Sequence, residues 1–239
     1  MQYASLSWEE AEKASKKDLV VILPVGAVEA HGRHLPLDVD SLIPGELAKE
    51  VADKTGALVL PTFHYGHCFS LREYAGTLSL SPETLSQSVY EICSELLRNG
   101  FSKILILNGH GGNYSPLKYA LERLDSEGED FQACIVEWWS VKELSEITTD
   151  LGHADENEAS LYIHYCPTDL VKRAKQESRK SYFGSPIPQP DDVFGPSGYR
   201  GKVESISKEK GKRMAEIVVS KLVKLVESGL VLEEQNVKS

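Results

Sequence analysis

Two short segments of the 239-residue sequence contain side chains that could bind divalent cations. The first, PVGAVEAHGRHLPLDVD, follows the apolar run LVVIL and contains Glu29, His31 and Asp40. The second, NGHGGN, follows the strand-like run KILIL and contains His110. Carboxylate and imidazole groups together are the ligand set for zinc, manganese or iron at hydrolytic sites. The residue types therefore indicate a metal centre.

Each segment also has an interpretation without a metal. HGR and DVD occur commonly in solvated loops, and a glycine-rich segment such as NGHGGN can bind phosphate through its backbone N–H groups. NGHGGN, however, lacks the lysine of a P-loop and the spacing of a dinucleotide-binding loop. Because both segments follow strand-like runs in one chain, the combination favours metal binding.

An α/β architecture is predicted to position these segments. The sequence predicts strands over 18–25, 57–60, 103–107 and 132–137, helices over 41–54, 81–99, 115–126 and 207–228, and a long ordered loop over 184–202. Apolar runs separated by helices are typical of a mostly parallel sheet with helices on both faces. Ligands bind outside the carboxyl ends of such strands, so we expect both segments at one edge of the sheet.

The ends of the predicted helices have specific signals. Ser81 followed by Pro82 predicts the start of the second helix, and Gly100 predicts its end. The patterns indicate a single three-layer domain over residues 1–230, followed by a polar C-terminal tail over 231–239.

The composition argues against a nucleic-acid-binding protein and against a membrane protein. An apolar fraction of 41%, a charged fraction of 26% and a net charge of −10 are typical of a globular protein without a nucleic-acid-binding surface. No apolar run is long enough to cross a bilayer and no signal peptide is evident, so we expect a cytoplasmic protein that does not contact membranes. The four cysteines, Cys68, Cys93, Cys134 and Cys166, are predicted to be reduced and mostly structural.

Four motifs in order resemble those of the creatininase family of metal-dependent amidohydrolases. Besides the two segments above, YAGTLSL at 74–80 and GHADENEAS at 152–160 resemble motifs of this family, and the similarity covers most of residues 3–227. The resemblance implies a creatininase-like α/β fold and hydrolysis of a non-peptide C–N amide bond of a small molecule by a metal-activated water. It also implies a homo-oligomer, often a hexamer.

The resemblance assigns roles to the residues in the first two motifs. It implies two divalent cations per subunit, of zinc, iron or manganese. Glu29 and His110 match ligands of one cation, His31 matches a ligand of the second, and Asp40 matches the carboxylate that bridges them. A bridging aspartate can hold two cations because it has two carboxylate oxygens.

The sequence departs from creatininase after His110. Where creatininase has a tyrosine and then a glutamate that holds the second metal, this chain has Gly111 and Gly112. Glu158, which matches a glutamate of another family motif, is the candidate replacement. The alternative is that Glu158 caps a helix start or pairs locally.

Further residues are predicted to contact substrate or move protons. His153 matches an active-site histidine of the family, with a role in proton transfer or in holding the carbonyl oxygen, and Glu158 is a second candidate proton carrier. Trp139 matches a tryptophan that borders the substrate, although it could simply pack against Trp138. Arg72 is a candidate contact for an anionic or hydrogen-bonding substrate, or an ordinary loop residue.

Other polar residues near the motifs have less defined roles. His64 and His67 lie in the same segment as Arg72, which corresponds to a loop facing the site in this family. Arg33 and His34 follow the ligand motif and could orient a ligating histidine.

The substrate is expected to differ from creatinine, because Gly111, Thr149 and Gly152 replace residues of the creatinine pocket. The NGHGGN form is closer to formylaminopyrimidine ribotide deformylases and mycofactocin peptidases than to creatininase proper. A formamide or cyclic amide is therefore the first hypothesis, including 2-amino-5-formylamino-6-ribosylaminopyrimidinone 5'-phosphate. A mycofactocin-type peptidase and a metal- or ligand-binding protein without turnover are the alternatives.

Overall fold

A computed structural model describes residues 1–148, 151–177, 187 and 193–233 of the chain. Within these ranges, strands and helices alternate and short 3-10 segments connect several of them. The strands are β1 (Val20–Val25), β2 (Leu58–Val59), β3 (Lys103–Asn108) and β4 (Gln132–Glu137). The helices are α1 (Trp8–Ser15), α2 (Val39–Thr55), α3 (Pro82–Arg98), α4 (Tyr114–Ser126), α5 (Glu156–Tyr165) and α6 (Lys208–Glu227).

The four strands form one parallel sheet in the order β2-β1-β3-β4. Val25 at the end of β1 pairs in register with Asn108 at the end of β3, and Asn108 pairs with Glu137 at the end of β4. Strands β1, β3 and β4 therefore end at the same level, which brings the segments that follow them to one edge. The predicted parallel sheet is confirmed.

Helices cover both faces of the sheet. On one face, Val21, Leu23 and Ile106 pack with residues of α3 and α4. On the other face, Ile22 and Leu105 pack with residues of α2, α5 and α6. Because successive side chains of a strand point to opposite faces, a strand buried on both sides needs a continuous apolar run. The predicted three-layer α/β arrangement is confirmed.

The residues predicted to begin and end helices lie at helix ends in the structure. The Ser81 side chain accepts a hydrogen bond from the Thr84 N–H at the start of α3, with Pro82 as the first helical residue. Gly100 and Gly229 follow α3 and α6 with φ of 86° and 70°, the left-handed region that glycine occupies without strain.

Two helices were not predicted. Helix α1 begins with a capping box between Ser7 and Glu10, and α5 begins where the Asp155 carboxylate accepts hydrogen bonds from the N–H groups of Asn157 and Glu158. The spacing of Ser7 and Glu10 is a helix-start signal that the sequence analysis overlooked.

Part of two sequence predictions lies outside the described residues. Positions 234–239 of the predicted tail fall there, as do 184–186 and 188–192 of the predicted loop. Residues 193–198, at the described end of that loop, form turns. The boundary between domain and tail stays a prediction.

A close crossing of α5 and α6 supplies a test of the packing. An ideal Cβ at Gly211 would lie 1.9 Å from the carbonyl oxygen of Ser160. We expect Gly211→Ala to lower the free energy of unfolding by about 1–3 kcal/mol, because added atoms in a packed interior force the backbone apart. Urea denaturation measures this loss. Gly111→Ala is the matched control, since a Cβ there meets no described atom within 4 Å, and equal stabilities for the two variants would contradict this packing.

Candidate metal centre

Four predicted ligands converge at the carboxyl edge of the sheet. Glu29 and His31 lie in the segment after β1, Asp40 lies in the first turn of α2, and His110 follows β3. Glu29, His31 and Asp40 are buried, with 0%, 0% and 3% of their surfaces exposed. Four ionisable side chains thus share one interior site, where charges are costly unless they are compensated.

The first group of ligand atoms contains Glu29, His110 and Asp40. His110 Nδ1 lies 3.3 Å from Glu29 Oε2 and 3.0 Å from Asp40 Oδ2. One cation could contact all three side chains.

The second group contains His31, Asp40 and Glu158. His31 Nε2 lies 3.0 Å from Asp40 Oδ1 and 3.7 Å from Glu158 Oε2, and the three ligand atoms lie within 4.8 Å of one another. Asp40 therefore contributes one oxygen to each group. Glu158 also accepts a hydrogen bond from the Ala154 N–H, so the local pairing considered in the sequence coexists with its position in this group.

Backbone carbonyls orient three histidine rings toward the centre. His31 Nδ1 lies 3.0 Å from the Glu29 carbonyl oxygen, His110 Nε2 lies 3.1 Å from that of His67, and His153 Nε2 lies 2.9 Å from that of Ala30. A neutral ring that donates its outer N–H to a carbonyl directs the lone pair of its inner nitrogen toward the carboxylates. This is the state that a cation requires.

Several buried atoms in the centre lack a hydrogen bond. Both Glu29 carboxylate oxygens, His31 Nε2 and Asp40 Oδ2 make no well-oriented hydrogen bond in the described parts of the chain, and these atoms face one another only in the ring–carboxylate contacts given above. Buried polar atoms are almost always satisfied, and a carboxylate that is not satisfied destabilises the fold. Two divalent cations would satisfy these atoms, so the residues present fit a two-metal site.

Burial and mutual charge shift the pKa values of these groups. Burial raises the pKa of Glu29 to about 7 and that of Glu158 to about 8. Burial disfavours the charged form of His31, but the carboxylates around it, Asp40 foremost, outweigh this effect and raise its pKa to about 10. In the same way, Glu29 and Asp40 outweigh burial at His110 and raise its pKa to about 9.

Cation binding should therefore depend on pH. At pH 7 the rings of His31 and His110 hold protons that a cation must displace, because both pKa values lie above 7. We expect zinc affinity to rise between about pH 6 and 9 as protons compete less effectively. Competition titrations with a zinc-binding dye at several pH values measure this trend, and an affinity that stays constant over the range would contradict it.

A cavity of about 1200 Å³ opens above the centre. Its floor includes Glu29, Asp40, His110, His153 and Glu158. Its walls include Arg72, Tyr74, Trp139, Phe194 and Arg200. A small molecule that enters the cavity reaches the ligand cluster.

The predicted substrate residues lie at different depths of this cavity. Trp139 is half-buried beside the buried Trp138 and lines the wall, so packing and access to the cavity coexist. Arg72 is exposed at the rim, where its Nε donates to Glu73 Oε1 at 3.0 Å. His67 lines the cavity, whereas His64 is exposed and is not among the described lining residues.

Two residues expected to orient the ligands lie elsewhere. Arg33 is exposed. His34 is buried, and its Nε2 lies 2.9 Å from the Ala154 carbonyl oxygen, so it supports the loop before Glu158 and not a ligating ring. Thr149 lies outside the described residues.

The glycines around His110 allow the backbones of Asp40 and His67 to approach this segment closely. An ideal Cβ at Gly109 would lie 2.0 Å from the Asp40 carbonyl oxygen, and one at Gly112 would lie 2.2 Å from that of His67. A side chain at position 112 would therefore require the backbone around His67 to shift.

The chain is similar in sequence and in fold to known proteins. The family model described as creatininase, creatinine amidohydrolase, matches residues 4–226. Creatinine amidohydrolase of Pseudomonas putida is 31% identical over 90% of this chain and 91% of its own length. The mycofactocin precursor peptide peptidase of Mycobacterium tuberculosis is 29% identical over 78% of this chain and 71% of its own.

A solved structure described as "Creatininase Mn" superposes with a TM-score of 0.82 at 29% identity, over 97% of this chain and 99% of the other. This likeness confirms the predicted creatininase-like fold. The family match and the sequence identity together show that the chain belongs to the creatininase, or creatinine amidohydrolase, family.

Proposed function

We propose that this protein is a metal-dependent hydrolase that cleaves a non-peptide C–N amide bond of a small molecule. The observation that supports the proposal best is the pair of ligand groups that share Asp40 at the floor of an open cavity. Glu29, His110 and Asp40 would hold one cation, and His31, Asp40 and Glu158 the other. Zinc, iron and manganese all accept such ligands.

The cations would supply Lewis acidity, which polarises a carbonyl and lowers the pKa of water. The protein supplies the rest. It fixes the imidazoles through backbone carbonyls, buries the side chains of Glu29, His31 and Asp40 at the floor of the cavity and holds a proton acceptor beside the centre.

His153 is the proposed proton acceptor. Burial lowers the pKa of His153, so the ring is neutral. The charged His31 ring adds to this shift, and a cation that displaced the His31 proton would remove that part and bring the pKa of His153 closer to the range of a general base. Its Nε2–H is directed to the Ala30 carbonyl, and Nδ1 lies 3.9 Å from Glu29 Oε2 at the cavity floor. A neutral ring with its only N–H already engaged can accept a proton there but cannot donate to a carbonyl oxygen. Of the two predicted roles, proton transfer is therefore favoured, with Glu158 as a ligand.

The proposed substrate is a formamide or cyclic amide with an anionic group. Arg72 and Arg200 both line the cavity, and guanidinium groups bind phosphate or carboxylate well. Trp139 offers an aromatic face to a planar ring. A formylaminopyrimidine ribotide combines a formamide, a planar ring and a phosphate. A deformylase of that substrate is therefore the specific form of the hypothesis.

Two alternatives remain to be tested against this one. A mycofactocin-type peptidase is supported by the sequence relative and by a cavity that is large for a formamide alone. A binding protein without turnover is favoured by Gly112, which stands where creatininase has a metal-binding glutamate. The position of Glu158 beside His31 weakens that support.

A substrate panel tests the proposal. Formamides with and without a phosphate, cyclic amides and short peptides are incubated with protein loaded with zinc, iron or manganese. We expect metal-dependent release of formate or ring opening, lost with a chelator and restored by metal. Cleavage of peptides alone would favour the peptidase, and two bound cations without turnover of any amide would favour the binding protein.

We also propose that the protein forms a homo-oligomer, a hexamer by family resemblance. Light scattering coupled to size-exclusion chromatography measures the mass in solution. A mass of one subunit, 26.5 kDa, would overturn this part of the proposal.

A further inference from the structure

A thiol lies beside the group formed by Glu29 and His110. Cys68 Sγ, a Glu29 oxygen and a His110 ring nitrogen all lie within 4.8 Å of one another. Cys68 is 1% exposed, and all four cysteines of the chain are free thiols. The sequence predicts the four cysteines to be reduced and mostly structural, because they are scattered without a C-x-x-C pair.

The chain around Cys68 is attached to the centre. The Cys68 N–H donates to Ser79 Oγ at 2.9 Å. The preceding residue, His67, donates its N–H to Asn113 Oδ1 at 2.9 Å and accepts a hydrogen bond at its carbonyl from His110 Nε2. The bond that orients the His110 ring therefore comes from the residue next to Cys68, which fixes the thiol relative to that ring.

The carboxylate that faces the thiol needs compensation. Glu29 is fully buried, and neither of its carboxylate oxygens has a hydrogen-bonding partner among the residues that the structure describes. A thiol is at best a weak hydrogen-bond donor, so its proximity does not satisfy an anionic carboxylate. A cation between oxygen, sulfur and nitrogen satisfies all three groups.

We propose that Cys68 is a further ligand, as a thiolate, of the cation held by Glu29 and His110, and that it makes this position selective for zinc over manganese. On binding, the S–H bond breaks, the proton passes to solvent and a sulfur–metal bond forms. Thiolate is a soft ligand that zinc accepts well, whereas manganese prefers oxygen. The inference rests on the metal centre of the proposed function and adds a ligand and a preference to it.

Cobalt(II) reports the ligand directly, because a thiolate bound to cobalt gives a charge-transfer absorption in the near ultraviolet. The full-length protein is titrated with cobalt alone and its bound cobalt is measured by elemental analysis. We expect the absorption in wild type, its loss in Cys68→Ser, and its retention in Cys93→Ser. Cys93 is the matched control because it is a buried thiol on α3 and belongs to none of the groups of ligand atoms described at the centre.

Metal affinity supplies a second measurement. We expect Cys68→Ser to weaken zinc binding at one of the two positions by about tenfold or more, since even residues that only orient a ligand change metal affinity by about 10- to 100-fold. Manganese affinity should change less. Equal losses for the two metals would indicate that the thiol only positions Glu29, and would overturn the proposal.

The possible outcomes separate this inference from the proposed function. Bound cobalt without the near-ultraviolet absorption, or with an absorption that persists in Cys68→Ser, overturns the role of Cys68 and leaves the two-metal centre standing. Failure of the wild-type protein to bind cobalt, zinc or manganese overturns both.

Discussion

Replacing Asp40 by asparagine is expected to abolish binding of at least one cation and to lower amide hydrolysis by about 10³-fold or more, because metal catalysis contributes several kcal/mol. Asp40 Oδ1 lies 3.0 Å from His31 Nε2, and Oδ2 lies 3.0 Å from His110 Nδ1, so one carboxylate serves both ligand groups. Asparagine keeps the shape but offers a single neutral oxygen in place of two that share a charge.

The control for this substitution lies on the same helix. Asp53 is exposed near the far end of α2, and Asp53→Asn removes the same charge without touching the centre. Elemental analysis gives the bound metal, circular dichroism gives the fold, and the substrate panel gives the rate. An Asp40→Asn protein that folds, keeps two cations and hydrolyses the amide at the wild-type rate would remove the basis of the proposed function.

Replacing His153 by glutamine is expected to lower kcat by about 10²- to 10⁴-fold, the usual contribution of a positioned acid or base, while the bound metal stays unchanged. The half-buried ring packs against His31, with centroids 4.3 Å apart, and its Nε2–H is directed to the Ala30 carbonyl. Glutamine can replace the hydrogen bond but not the basic Nδ1. The loss should appear in kcat because the proposed role is proton transfer and not substrate binding.

Metal analysis separates the role of proton acceptor from that of metal ligand. A His153 ring nitrogen also lies within 4.8 Å of ligand atoms of Glu29 and His31, so a ligand role predicts that His153→Gln loses metal along with activity. His64→Gln is the matched control, because His64 is exposed and lies outside the described lining of the cavity. Loss of a cation in His153→Gln would therefore overturn the assignment as proton acceptor.

The sheet and most helices could be predicted from the sequence because their signals are local. The runs at 20–25 and 104–107 are apolar at every position, which a strand covered on both faces requires. Ser81 and Pro82 mark a helix start through the hydrogen bonds of its first turn, which involve only neighbouring residues. Helices α1 and α5 were missed because short helices have little periodicity, although each has a capping signal.

The sequence by itself indicated a metal centre from Glu29, His31, Asp40 and His110, since few functions other than metal binding bring carboxylates and imidazoles together after two buried strands. The family resemblance added Glu158 as a candidate ligand, whereas only the tertiary structure placed Cys68 beside the group, because a lone cysteine in a loop after β2 has no metal-binding spacing. It also decided what orients the rings, since backbone carbonyls have no sequence signature. Local patterns specify secondary structure, whereas distances between residues more than a hundred positions apart depend on how the layers pack.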